Sequence, residues 1–362
     1  MRASHRRAST VRFDGPSGRA RPFAALRHAA LASSLCALVA CGASPPNVAP
    51  ASPSSASAPR PPEATGYAPG EGGERIFFRS VGEGATPVVV VHGGPGLDLD
   101  WYLEDLRPLA RARRVVFYDQ RGGGRSSLPA DPSSITMANH VRDLEALRRH
   151  LGAEQIVLLA HSFGPSIAAL YAIEHPERVA RMVLIGPIPP AAEGFEAAYG
   201  ANMTKRAGPA ASARLDELER GWADAPDPVA VCREYWRLAL PPRLADPAAS
   251  LPRLKADPCA PSAEAMRYSL RNTMPRTVAS LGTWNFLPAL ARLRVPTLVV
   301  HGEEELIPMS MVEAWAKTMP DARLVRVPKS GHFPYAERPE LVFPALEAFL
   351  AGRWPASAEV LR

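Results

Sequence analysis

Ile156-Val157-Leu158-Leu159-Ala160-His161-Ser162-Phe163-Gly164 is the stretch on which the fold turns. An apolar run ends in small-x-Ser-x-Gly, and a helix-compatible segment, Pro165 to Ile173, follows at once. A serine between a strand and a helix sits on a sharp turn that lifts its Oγ above the sheet edge. The amide of the next residue, here Phe163, then points to where an oxyanion would develop. The turn is crowded, so it needs small neighbours, and Ala160 and Gly164 supply them. Ser162 is therefore the candidate nucleophile.

Outward from that turn, short apolar runs alternate with amphipathic helical patterns. The runs are Arg75 to Arg79, Pro87 to Val91, Arg114 to Tyr118, Ile156 to Leu159, Arg181 to Ile185, Pro296 to Val300 and Arg323 to Val327. Between two of them, Val141 to Leu151 places Leu144, Leu147 and Leu151 on one face. This alternation predicts an α/β fold, a mostly parallel sheet flanked by helices. It breaks after Pro187. Residues 189–284 hold no convincing strand and many helix-compatible segments, which predicts a helical cap inserted between strands. The core is expected over 73–188 and 285–355.

Three further loops fall at strand ends, where open α/β sheets place ligands. His92-Gly93-Gly94-Pro95-Gly96 is glycine-rich and can aim a second amide, that of Gly94, at the same oxyanion as Phe163. Neither Walker spacing nor Gly-x-Gly-x-x-Gly follows the strand, which argues against a phosphate-binding loop. In Asp119-Gln120-Arg121-Gly122-Gly123-Gly124-Arg125-Ser126, Asp119 and Arg121 read as braces between loops. In Ser330-Gly331-His332-Phe333-Pro334, His332 can take the Ser162 proton and return it to a leaving group. The acid that would orient it is expected after Pro296 to Val300, in His301-Gly302-Glu303-Glu304-Glu305. Glycine, two residues and then the acid gives Glu305, with Glu304 as the alternative register and Glu193 as a remote third.

The order Ser, acid, His resembles that of the α/β-hydrolase superfamily, over about residues 74–354. Within it, His92 to Gly96 and Asp119 to Ser126 resemble the paired signatures of the proline iminopeptidase branch, serine aminopeptidases with a helical cap. The resemblance implies Ser162 as nucleophile, His332 as base and Glu305 in place of the usual aspartate. It also implies cap acids that hold a substrate amine, for which Glu217, Glu219 and Glu234 are candidates. The elbow departs from that branch, which usually shows Gly-Gly-Ser-Trp-Gly. The expected reaction is hydrolysis of small peptides or amides through a covalent acyl-enzyme. The same triad would serve a carboxylesterase or lactonase. A surface-anchored binding protein without turnover is the reading from another class. No metal-ligand spacing occurs, and no metal or cofactor is expected.

The net charge of +6 suggests nucleic acid only until it is divided along the chain. Residues 1–40 hold seven arginines and one acid, Asp14, so the remainder sums to about zero. Those residues read as a signal peptide, with an Arg-rich start and an apolar stretch from Ala29 to Ala40 too short to span a bilayer. Leu38-Val39-Ala40-Cys41-Gly42 resembles a bacterial lipobox, which implies lipidation of Cys41. Residues 41–72, crowded with Pro, Ser and Ala, read as a tether. The expected location is the cell envelope, anchored to a membrane through the N-terminal lipid and facing the periplasm or exterior. Outside the cytoplasm Cys232 and Cys259 could pair; two buried thiols are the alternative.

Overall fold

The computed structural model describes residues 61–361. The expected signal peptide, Cys41 and most of the tether lie outside the described residues. Eight strands form one sheet: β1 (Glu63–Pro69), β2 (Arg75–Val81), β3 (Val88–Val91), β4 (Val115–Tyr118), β5 (Ile156–His161), β6 (Val179–Ile185), β7 (Thr297–Gly302) and β8 (Ala322–Val327). Their order is β1-β2-β4-β3-β5-β6-β7-β8. β1 and β2 run antiparallel and join β4 antiparallel, and every pairing from β4 to β8 is parallel.

β1 lies where the composition of residues 41–72 predicts tether: residues 63–69 form a strand instead. Seven Cα pairs tie this strand to β2, from Glu63 opposite Val81 to Pro69 opposite Arg75. Only Ala68 in it is buried. An edge strand held by backbone hydrogen bonds carries little of the apolar signal that marked the others.

The sheet is covered on both faces, which explains its near-continuous apolar strands. Val89, Val91, Val116, Leu158 and Ala160 point to one face and pack with helices Met137–His150, Gly164–Glu174 and Met309–Thr318. Val88, Val90, Val115, Phe117, Val157 and Leu159 point to the other, against Asp100–Leu106 and Pro339–Leu350. Each fully buried side chain of this kind contributes about 1.5–3 kcal/mol, and the strand ends are thereby fixed.

Between β6 and β7 the chain is helical, as expected. Helices Phe195–Ala207, Pro209–Gly221, Pro228–Ala239, Ala263–Tyr268 and Met274–Leu281 follow one another, with a π turn at Ser269–Thr273. Gly208, at φ 80°, and Pro209 break the first from the second. Asp227 caps the third by accepting from the amides of Val229 and Ala230. A bridge between Ala191 and Asn285 ties together the two ends of the segment. Inside it, Trp222, Cys232, Cys259 and Met266 form a small core. Cys232 and Cys259 are joined by a disulfide, the first of the two states left open by the sequence.

Candidate active site

Ser162 follows the last residue of β5 with φ at +61°, a conformation uncommon for a residue bearing Cβ. Neighbouring backbone holds it there. Its N–H donates to the Ile185 carbonyl at 3.0 Å, and its carbonyl accepts from Ile188 at 2.9 Å. A Cβ on Gly164 would lie 2.3 Å from the Val91 carbonyl oxygen, and one on Gly93 would lie 2.8 Å from the Ser162 Cβ. Those two positions require glycine. Ala160, fully buried, keeps its methyl group in the core.

His332 Nε2 lies 3.0 Å from Ser162 Oγ, and its Nδ1 lies 2.6 Å from Glu305 Oε2. With the imidazole neutral, the serine hydroxyl donates to Nε2 and Nδ1–H donates to the carboxylate. Burial of Glu305 favours its neutral form, but the positive charge His332 carries when protonated and the hydrogen bond from its ring outweigh this, together with His301 and the Leu306 amide. They hold the carboxyl well below the usual range. The other oxygen, Oε1, accepts from the Leu306 amide at 2.7 Å. Glu304 and Glu193 are exposed. The arrangement can move a proton from Oγ to an imidazole whose charge is then stabilised from behind.

A second polar series runs behind the first. The Gly93 amide donates to the Tyr102 hydroxyl at 3.0 Å; that hydroxyl lies 3.0 Å from His161 Nδ1, and His161 Nε2 lies 2.7 Å from the His332 carbonyl oxygen. A carbonyl only accepts, so His161 carries its proton on Nε2, and Nδ1 accepts from Tyr102. Burial, then the neighbouring His332, push the His161 pKa down to about 3, so the ring is neutral. His161 thus ties the glycine loop to the histidine loop. The sequence reading passed over both His161 and Tyr102.

The other loops are where the sequence placed them. Gly94 and Phe163 line the cavity into which Ser162 opens. His92, pushed down to about 4 by burial, accepts from the Gln120 amide through Nε2. Asp119 accepts from the amides of Leu99 and Arg125, each at 2.8 Å. Arg121 and Asp143 form a buried two-pronged pair at 2.5 and 2.6 Å. Both act as the braces the sequence predicted. Arg125 is taken by Asp100 and Asp119.

The cavity above Ser162 holds about 480 Å³, and the helical segment roofs it with Trp222, Tyr235, Trp236 and Met266. A smaller space of about 120 Å³ adjoins it and shares Ser162, His332 and Arg243. Of the three cap acids named from sequence, only Glu219 lines the large cavity, where it accepts from the Tyr235 hydroxyl at 2.8 Å. Glu217 and Glu234 both pair with Arg214 instead. Glu196 and Asp98 also line it. Burial, then Asp119 and Asp100, push the Asp98 carboxyl up to about 7. Two hydroxyls of the π turn reach the core loops: Ser269 donates to the Gly96 carbonyl at 2.8 Å and Thr273 to that of Gly122 at 2.6 Å.

Residues 86–339 match the family described as alpha/beta hydrolase fold. The chain belongs to that family. Among similar proteins, a proline iminopeptidase from Heyndrickxia coagulans is 36% identical over 117 residues, 32% of this chain and 40% of that protein. The chain thus spans about 40% of the length of the first such relatives it matches. A proline iminopeptidase from Lactiplantibacillus plantarum is 27% identical over 287 residues, 77% of this chain and 98% of that one. The crystal structure of a proline iminopeptidase-related protein from Thermus thermophilus superposes with a TM-score of 0.60 and 27% identity. It covers 82% of this chain and 99% of that one. The family match over residues 86–339 and these relatives give the chain the α/β-hydrolase fold.

Proposed function

We propose that the protein is a serine hydrolase working through Ser162, His332 and Glu305, and that it removes the N-terminal residue, proline foremost, from small peptides or amides. The observation that carries this reading is the position of His332, hydrogen-bonded to Ser162 Oγ on one side and Glu305 on the other. Oγ attacks the carbonyl carbon while Nε2 takes its proton. The tetrahedral oxyanion lies against the amides of Gly94 and Phe163. The C–N bond then breaks, the amine leaves with the proton from Nε2, and an acyl-enzyme remains. Water, deprotonated by the same nitrogen, releases the acid and restores Ser162. Glu219 and Glu196 are the acids suited to hold a free amine on the acyl side. The iminopeptidase relatives support the choice of amide.

The second reading, a carboxylesterase or lactonase, is favoured by the aromatic and aliphatic roof of the large cavity. A fluorophosphonate should label Ser162 under either reading, and failure to label it in folded protein would reject both. A prolyl-arylamide compared with p-nitrophenyl acyl esters separates them: ester turnover without arylamide turnover would reject the aminopeptidase.

The protein is further proposed to sit in the cell envelope as a lipoprotein anchored at Cys41. The Cys232–Cys259 disulfide supports an oxidising compartment. Incorporation of labelled fatty acid into the native protein but not into Cys41→Ala tests the anchor.

A further inference from the structure

We propose that Arg243 forms an anion subsite on the leaving-group side of Ser162, and that the preferred substrate is a dipeptide-sized molecule whose leaving group carries a free carboxylate. The inference rests on the hydrolase reading above and narrows its substrate.

Arg243 lines both spaces that meet at Ser162. Its guanidinium stands 5.9 Å from the ring centre of Tyr199 and 5.7 Å from that of Trp236. One Nη1 donates to the Ala239 carbonyl at 2.5 Å. The guanidinium also hydrogen-bonds to the Tyr199 side chain; it has five N–H donors, so some remain for a ligand. Among the described residues Arg243 forms no ion pair. The carboxylate that acts on it through space is Glu305, whose oxygens are already taken by His332 and the Leu306 and Ile307 amides. Arg243 is half-buried and faces the cavity, so a substrate that fills the space dries the guanidinium, and an anionic group on that substrate offsets the cost.

The side on which Arg243 lies follows from the histidine. His332 Nε2 must protonate the departing atom, so the leaving group passes on the histidine side. The His332 amide donates to the Arg243 carbonyl at 2.7 Å, and a Cβ on Gly331 would come within 2.2 Å of that oxygen. Arg243 is therefore locked to the histidine loop. The small space, also lined by Phe333, holds about 120 Å³, about four water volumes. That is room for one small residue. A planar carboxylate on that residue matches the guanidinium fork.

The test compares two matched pairs on the wild-type enzyme: prolylglycine against prolylglycinamide, and O-acetylglycolate against O-acetylglycolamide. In whichever pair turns over, kcat/KM should favour the acid by about tenfold or more, the scale of a charge-assisted contact. The acid-to-amide ratio should fall to within about twofold of unity in Arg243→Met and lie between that and the wild-type ratio in Arg243→Lys, which keeps the charge and loses the fork. Fluorophosphonate labelling of Ser162 is run in parallel. Labelled enzyme that treats acid and amide alike, or turns over neither pair, overturns the subsite while the hydrolase reading stands. A ratio unchanged in Arg243→Met also overturns it. Unlabelled Ser162 overturns the hydrolase reading and the subsite together. The wild-type comparison decides the matter even if the methionine variant fails to fold.

Discussion

His161 Nε2 donates to the backbone carbonyl of His332 at 2.7 Å, and the two rings lie 4.6 Å apart. The residue beside the serine thus sets the height of the loop that carries His332. His161→Gln should therefore lower kcat by roughly 10- to 100-fold, the cost of a misplacement of about 1 Å, with little change in KM. Tyr102→Phe should have a smaller effect in the same direction. Steady-state kinetics on both variants checks this, and a KM effect larger than the kcat effect would contradict the positioning role.

Glu305→Gln should lower kcat by about three to four orders of magnitude, since the amide leaves the imidazolium unsupported and can select the wrong tautomer. Glu304→Gln, at an exposed site, should stay within about twofold. Parallel assays that reversed this ranking would move the acid by one residue.

Gly164→Ala drives a methyl group to 2.3 Å from the Val91 carbonyl oxygen and 2.9 Å from that of His92. Overpacking on rigid backbone should cost about 1–3 kcal/mol, read as a lower denaturant midpoint. A midpoint equal to wild type would mean that the turn yields more easily than its contacts imply.

Asp98 gives a pH signature. Its carboxyl, near 3.8 when unfolded, is raised to about 7 in the fold. The folded state therefore binds more protons than the unfolded state between those values, and stability falls as pH rises through that window. Asp98→Asn removes this loss while keeping an oxygen for the Asp100 amide. Its melting temperature should gain on wild type from pH 5 to pH 8, by at least about 2 °C. A constant difference across that range would refute the assignment.

Reduction of Cys232–Cys259, or Cys232→Ser with Cys259→Ser, should loosen the roof of the cavity. A crosslink of this span contributes about 2–4 kcal/mol, so the variant should melt earlier and show a higher KM. Thermal melts with and without reductant measure the first effect.

Much of this architecture was legible because its signals are local. Seven apolar runs marked β2 to β8, since strands buried on both faces must be apolar throughout. β1 escaped because an edge strand with one buried residue needs only backbone pairing. Ser162, Glu305 and His332, which the fold brings within hydrogen-bond reach of one another, could be proposed together because each follows a strand end at a readable spacing. Glu305 and Glu304 were separable only by burial, which depends on how the loop after β7 folds back. Tyr102, His161 and Arg243 were silent in sequence for a different reason. Their roles come from contacts across 59, 171 and 89 positions, respectively to His161, His332 and the His332 amide, and no periodicity encodes such meetings.

The π turn has a consequence for anyone rebuilding this protein. Its two hydroxyls, on Ser269 and Thr273, are fastened to the carbonyls of Gly96 and Gly122, one in each glycine-rich loop of the core. A Cβ on Gly96 would fall 2.1 Å from the Ser269 oxygen. The roof is therefore not an interchangeable module. A chimera that grafts another cap onto this sheet must bring a matching pair of hydroxyls in the same register. Otherwise it surrenders the shape of the loop that faces Ser162.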